Sequence, residues 1–355
     1  MSAAERFFEI DERRIGVSAP VFIVAEAGVN HNGNPALARR LVDAAAECGA
    51  DAVKFQTFTV DALLTREAPK AGYQVETTGA GESQREMLAR LELGADRLAE
   101  LRDRAGKRGL VFFSAPFDEA SADALEALDV ALYKVPSGEI TNLPLLRHIA
   151  AKGRPIILST GMATLEEVEQ AVAAIRAAGD PPLALLHCLS AYPAPVEEVN
   201  LRAMDSLASR FGYPVGFSDH TLGIEIAVAA AARGAAIIEK HLTLDKTLPG
   251  PDHRASLDVG EFSAMVRAIR SVESALGDGV KRPMPSEADT RRVARKSLVA
   301  ARALKAGERV AAGDLASKRP GTGISPAELP RVLGLRLTRD VAADEVIPWE
   351  ALAKP

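Results

Sequence analysis

Two histidines, His220 in GFSDHT (216–221) and His241 in IIEKHLTL (237–244), close consecutive apolar runs in a chain that has only six histidines. Neutral imidazole is a common ligand for divalent transition metals, and two histidines without cysteine leave coordination positions open to water and substrate. That is a catalytic rather than a structural arrangement. The competing reading is that each ring is a hydrogen-bonded member of the core. The ends of the neighbouring apolar runs carry Glu26, Lys54, Gln56, Ser114, Lys134, Ser137, Glu139, Ser159, Thr160, His187, Ser190, Ser218, Asp219, Glu239 and Lys240. A single lysine there can snorkel to solvent. Two lysines, Lys54 and Lys134, with several hydroxyls at the same mouth form a site for a multiply charged anion, phosphate above all. His187 is expected in the core or behind the site, His31 in a loop near the mouth, and His148 on the surface. Cys48 and Cys188 read as small buried hydrophobes, because two cysteines make no disulfide framework.

These residues need a scaffold that brings strand ends together. VFIVAEAG (21–28), DAVKFQTF (51–58), LVFFSAPF (110–117), ALYKVPSG (131–138), PIILSTG (155–161), LALLHCLS (183–190), PVGFSDHT (214–221) and AAIIEKHLTL (235–244) are short and continuously apolar. Strands of a parallel sheet buried on both faces read this way. Between them lie amphipathic stretches such as NPALARRLVDAAAECG, with Asn34 to cap, Pro35 at the first helical position and Gly49 to close. TLEEVEQAVAAIRAAG likewise begins with a threonine cap and an acidic first turn, and ends at Gly179. Eight β–α units predict an α/β fold, a (β/α)8 TIM barrel whose site sits at the C-terminal strand ends. A doubly wound sheet is the alternative, but no G-x-G-x-x-G follows the first strand.

Residues 59–95 are too long for an ordinary βα loop and are expected to form a lid or a mobile segment. The barrel is assigned to 1–280 and a linker to 281–295, where Gly, Pro and charge occur without periodicity. Residues 296–355 form a small β-rich domain near the lower size limit for independent folding, which should lean on another surface. With 355 residues, 47% of them hydrophobic, the chain can bury a full core. A net charge of −5 argues against nucleic acid or an anionic membrane as the main partner. No apolar run approaches the roughly 20 residues of a membrane span, and the N-terminus lacks a signal peptide's apolar core, so a cytoplasmic location is expected.

The motifs AEAGVNHNG, DAVKFQTF, FFSAPFD, YKVPSGEITNLPLL, ILSTGM, LHCLSAYPAP, GFSDHT, IIEKHLTLD and PGPDHRASLD follow one another in the order of the sialic acid synthase family. The chain resembles that family, with its N-acetylneuraminate and legionaminic acid synthases, over nearly its whole length. The tail with RPGTGI resembles the SAF (antifreeze-like, β-clip) domain that these transferases carry. The resemblance implies condensation of phosphoenolpyruvate with N-acetylmannosamine, giving the nine-carbon 2-keto acid N-acetylneuraminate and phosphate. The alternative substrate is 2,4-diacetamido-2,4,6-trideoxymannose, as in legionaminic acid synthesis. It further implies a divalent metal, Mn2+ before Mg2+ or Co2+, held by His220 and His241, and a homodimer in which one chain's SAF domain covers the other's barrel mouth.

By the same resemblance Lys54, Lys134, Ser137, Ser159 and Ser218 hold phosphoenolpyruvate. Gln56, Glu139, Tyr192, Asp252 and Arg319 hold the sugar, and Glu26 lies beside the carbon where charge develops. The chain departs from the family at Ala115, where many members have threonine, so Ser114 or backbone groups must serve. It departs again at Ser190, where some have asparagine. His253 is a candidate either for touching the sugar or for a loop hydrogen bond. Two other classes of function fit the residues less well. A non-catalytic carbohydrate-binding protein has no use for the lysines and metal-type histidines, and a Schiff-base aldolase needs a single desolvated lysine rather than two among hydroxyls.

Overall fold

A computed structural model describes residues 7–353. The chain divides into two compact units, Met1–Gly277 and Asp278–Pro355. In the first, β1 (Phe7–Ile10) and β2 (Arg13–Gly16) form an antiparallel hairpin that no sequence pattern marks. Four-residue strands are too short to display a period of two. The hairpin adds Phe8, Ile10 and Ile15 to the apolar cluster inside the barrel.

The eight runs form β3 (Phe22–Gly28), β4 (Ala52–Thr57), β5 (Val111–Pro116), β6 (Tyr133–Val135), β7 (Ile156–Ser159), β8 (Leu183–Cys188), β9 (Val215–Asp219) and β10 (Ile237–His241). Every neighbouring pair is parallel, and β10 pairs with β3 to close the ring. Along each strand, alternate side chains enter different cores. Phe22, Val24, Ala52, Phe113, Ile157, Leu186 and Ile237 fill the barrel interior. Ile23, Val53, Phe112, Leu158, Leu185 and Ile238 pack outward under the helices. Burial of both faces explains the continuous apolar runs.

The helices end where the sequence predicts. The Asn34 side chain accepts from Ala36 N at the start of Pro35–Glu47, and Gly49 follows with φ +79°. Thr164 and Glu167 make a reciprocal capping box on Leu165–Ala178, as Asp258 and Glu261 do on Val259–Leu276.

Residues 59–95, the lid segment, contain the helices Val60–Leu63, Gly72–Thr78 and Gln84–Ala89. The ammonium of Lys70 ties the lid internally, donating to Thr78 Oγ1 (2.9 Å) and Gly79 O (3.0 Å) and pairing with Glu82. Val60, Leu91, Leu63 and Leu88 anchor it on Val29, Phe58 and Phe117 of the barrel rim.

The second unit pairs β11 (Ser297–Ala300) antiparallel with β12 (Leu315–Lys318). It has its own apolar core, which includes Leu298, Val310, Ile324, Val341 and Ile347. The 281–295 segment carries local structure. The boundary falls after Gly277, and residues of the 281–295 segment form the helix Ala288–Ala294 within the second unit. The seven-residue helix is too short to show an apolar stripe. Among the described residues no helix is long and apolar enough to cross a membrane.

Candidate active site

Strand register builds the site. Glu26 stands beside Lys54 on β3 and β4, His241 beside Glu26, and Glu239 beside Ser218. Pairing of β3 with β4 shifts between Glu26 and Gly28, a bulge at the strand's catalytic end. Gly28 has φ +49°, a conformation that favours glycine, and a Cβ there would press on Glu26 Oε1 at 3.0 Å.

The resulting layer is a buried chain of alternating charge. Lys54 Nζ lies 2.7 Å from Glu26 Oε2 and 3.8 Å from Glu239 Oε1, and Lys134 Nζ lies 3.1 Å from the same Glu239 oxygen. Gln56 Nε2 donates to Glu26 Oε1 at 3.0 Å, and Ser218 Oγ donates to Glu239 Oε1 at 3.0 Å. Burial raises the pKa of Glu26, with Lys54 opposing. Burial also works against ionised Glu239, but Lys134 and Lys54 outweigh it and bring the carboxyl down to about 2. Lys134 is pulled down by burial against the attraction of Glu239. For Lys54 the two carboxylates overcome burial and the pKa rises.

His220 and His241 face the same cavity, with ring centroids 5.5 Å apart. His220 Nδ1 is 2.8 Å from the carbonyl of Leu189. A carbonyl only accepts, so this nitrogen carries the proton and Nε2 keeps its lone pair for a ligand. The Nδ1 of His241 is buried without a hydrogen bond and lies 3.9 Å from Asp252 Oδ2. Burial lowers both imidazoles to about 3, keeping them neutral. Among the described residues no set of three or more His, Cys, Asp and Glu side chains is gathered for a metal. Two neutral imidazoles by themselves do not make a closed four-ligand structural site. Asp252 is raised to about 7 by burial and by Glu26. The ring of Tyr192 lies 4.2 Å from that of His220.

One cavity of about 460 Å³ is lined by Glu26, Lys54, Gln56, Lys134, Ser137, Glu139, Ser159, Ser190, Tyr192, Ser218, His220, His241 and Asp252. The structure thus brings together thirteen of the fifteen residues expected at the site. Ser114 is not among them. Its side chain lies on the outward face of β5, and its hydroxyl is 2.7 Å from Thr57 Oγ1. Arg319 lies in the second unit, where its Nε donates to Ala294 O at 2.9 Å. The Asn142 side chain donates to Glu139 at 2.7 Å and holds that carboxylate in place.

Cys188 is buried as expected and also lines the cavity, with its Sγ 3.1 Å from Ser137 Oγ. Gly161 N donates to that same hydroxyl, and a Cβ on Gly161 would come within 2.9 Å of Ser137, Cys188 and Ser190 together. The sequence alone gives Glu239 no role, because a strand buried on both faces hides which residues point inward. Asp219 and Lys240 illustrate this, since they face outward as a buried pair at 2.6 Å. His187 bonds Val199 O at 2.7 Å, and His148 pairs with Asp123 at 2.6 Å in a half-exposed setting. His31 is fully buried and accepts from Gly33 N. His253 uses both ring nitrogens, on Thr243 Oγ1 (2.8 Å) and Asn32 Oδ1 (3.2 Å), which settles it as a loop hydrogen-bonder.

Residues 41–281 match the NeuB family, and 295–353 match the SAF domain. The chain belongs to the NeuB family. This NeuB chain is 47% identical over 339 residues to the N,N'-diacetyllegionaminic acid synthase of Legionella pneumophila, covering 94% of this chain and 95% of that one. It is 47% identical over 327 residues to the synthase of the same name from Campylobacter jejuni, covering 92% and 98%. The crystal structure of N-acetylneuraminic acid synthetase from Leptospira borgpetersenii, in complex with citrate, superposes with a TM-score of 0.71. It is 35% identical and covers 81% of this chain and 95% of that one. The fold is accordingly a TIM-type barrel with a C-terminal SAF domain, and the chain is a sialic-acid-synthase-family transferase.

Proposed function

We propose that this NeuB chain condenses phosphoenolpyruvate with 2,4-diacetamido-2,4,6-trideoxymannose, forming N,N'-diacetyllegionaminic acid and releasing phosphate. The observation that carries the proposal is that Ser159 Oγ, Glu239 Oε2 and His241 Nδ1, all buried without hydrogen-bond partners, line one cavity beside two buried lysines. Polar atoms left unpaired in a native interior are costly and mark places where a ligand completes the bonding. The names of the 47% identical relatives support the sugar. Each lysine is held by a carboxylate, which suits anion binding and not the free amine of a Schiff-base aldolase.

Lys54, Lys134 and the serines of β7 and β9 hold the phosphate and carboxylate of phosphoenolpyruvate. His220 and His241 would hold Mn2+, which when bound polarises the aldehyde oxygen of the sugar. Gln56, Glu139, Tyr192 and Asp252 orient the open-chain sugar so that its aldehyde carbon faces C3 of the enol. As the C–C bond forms, positive charge develops at C2 beside the Glu26 carboxylate, which stabilises it and positions the water that adds there. Phosphate then leaves with C–O cleavage. Holding both reactants face to face supplies much of the acceleration.

The deciding experiment measures phosphate release from phosphoenolpyruvate with a panel of amino sugars, with and without Mn2+. The reading requires metal-dependent release, with the diacetamido sugar giving the highest kcat/KM. Preference for N-acetylmannosamine would make the chain an N-acetylneuraminate synthase. Binding of sugar without release would make it a non-catalytic module.

A further inference from the structure

The lid forms the roof of the cavity and reaches across it. It leaves the barrel after β4 and lines the cavity with Leu63, Leu64, Tyr73, Gln74, Gln84 and Leu88. The ring of Tyr73 lies 4.9 Å from that of Tyr192, at an interplanar angle of 31°. Tyr192 follows β8, and in the closed order β10-β3-β4-β5-β6-β7-β8-β9 strands β4 and β8 are diametrically opposite. One tyrosine thus joins the lid to the far rim, in contact with the ring that stacks on His220.

The cavity is chemically divided. Its floor is the ionic layer of Glu26, Lys54, Lys134 and Glu239. Its wall under the lid has an apolar part made by Leu63, Leu88, Phe58 and Phe117, next to the lid amides of Gln74 and Gln84. A sugar whose aldehyde end is set at His220 and His241 has its C4–C6 end farthest from them. β5, which leads to Phe117, is diametrically opposite β9, which leads to His220. The leucine and phenylalanine part of the wall gives no partner to a C6 hydroxyl, whereas it buries a C6 methyl and the methyl of a C4 acetamido group, whose N–H and C=O are left to polar lid groups such as Gln74 and Gln84.

We infer that the lid is the specificity element of this enzyme: Tyr73 and the Leu63–Leu88 wall select a sugar with a methyl-bearing C4–C6 end. Tyr73 acts by closing the roof onto Tyr192, and the leucines by contact. The inference rests on the proposed condensation but adds the residues that choose the sugar.

The test compares kcat/KM for 2,4-diacetamido-2,4,6-trideoxymannose and for N-acetylmannosamine in the full-length protein, together with KM for phosphoenolpyruvate. One or two methyl groups in an apolar pocket are worth roughly 10–200-fold in discrimination. Tyr73→Ala and Leu88→Gln are expected to lower the ratio of the two kcat/KM values by about tenfold or more, with KM for phosphoenolpyruvate within about threefold of the parent. Tyr73→Phe, which keeps the stacking ring, restores the ratio. An unchanged KM for phosphoenolpyruvate also shows that the variant is folded. Equal losses on both sugars, or an unchanged ratio in Leu88→Gln, overturn the inference while leaving the condensation intact. A parent enzyme that prefers N-acetylmannosamine overturns the proposed substrate instead.

Discussion

Glu239→Gln removes one carboxylate from a layer in which two carboxylates face two ammonium groups. Glu239 Oε1 lies 3.1 Å from Lys134 Nζ and 3.8 Å from Lys54 Nζ. At an effective dielectric near 20, unit charges at these separations attract by roughly 5 and 4 kcal/mol. Lys54 keeps Glu26 at 2.7 Å, so the unsupported group is Lys134. A buried lysine can escape by losing its proton. From an ordinary pKa of about 10.4 this costs roughly 4–5 kcal/mol at pH 7 and caps the penalty. That cap agrees with the roughly 3–5 kcal/mol lost when one member of a buried pair is removed.

The substitution should therefore lower the melting temperature by on the order of 10 °C. In the variant, Lys134 titrates below its unfolded pKa, so the unfolded state holds more protons in between and stability rises with pH. Burial already lowers Lys134 in the parent, so the deficit must shrink with rising pH between the variant's Lys134 pKa and the parent's, and level off above the latter. Phosphoenolpyruvate, whose anionic groups replace the missing charge, should give the variant a larger upward shift than the parent. Circular-dichroism melts across pH, with and without phosphoenolpyruvate, measure all three effects. A variant that melts with the parent at pH 7, or whose deficit grows with pH, would refute the assignment of Glu239 as the carboxylate that holds the lysines.

Replacing His220 or His241 singly by Ala should weaken Mn2+ binding by more than the roughly 10–100-fold typical of losing only a supporting partner, read as metal retained after dialysis. Retention at the parental level would show that the rings are not ligands. Gly161→Ala places a Cβ 2.3 Å from Ser190 Oγ and 2.6 Å from Cys188 Sγ. Overpacking of about 1–3 kcal/mol should raise KM for phosphoenolpyruvate about tenfold and move the sugar KM less, as measured by initial rates. Truncation after Gly277 should leave a cooperatively melting barrel with sharply reduced sugar turnover. Full turnover by that fragment would refute the expectation, implied by the family resemblance, that Arg319 reaches the sugar.

The barrel was legible because eight apolar runs alternated with capped helices, and strand ends in such a fold face one mouth. By itself, the sequence determined that His241 and Glu239 share one side of a strand and Lys240 the other, since side chains alternate with a period of two. Which side is inside was decided only by closure of the ring. Both faces of these strands are buried, so neither is marked by polarity. Asp219 with Lys240, and Ser114 with Thr57, meet behind the barrel wall for that reason, and Ser114 is lost from the anion site. The lid shows the same limit. Its Ser83–Glu86 capping box is written in neighbouring residues, but the contact of Tyr73 with Tyr192 joins positions more than a hundred residues apart. Local bonding is encoded at short range. The cavity's ionic floor and partly apolar roof arise only when opposite sides of the ring are brought within reach of each other, because its walls come from segments that have no local reason to meet.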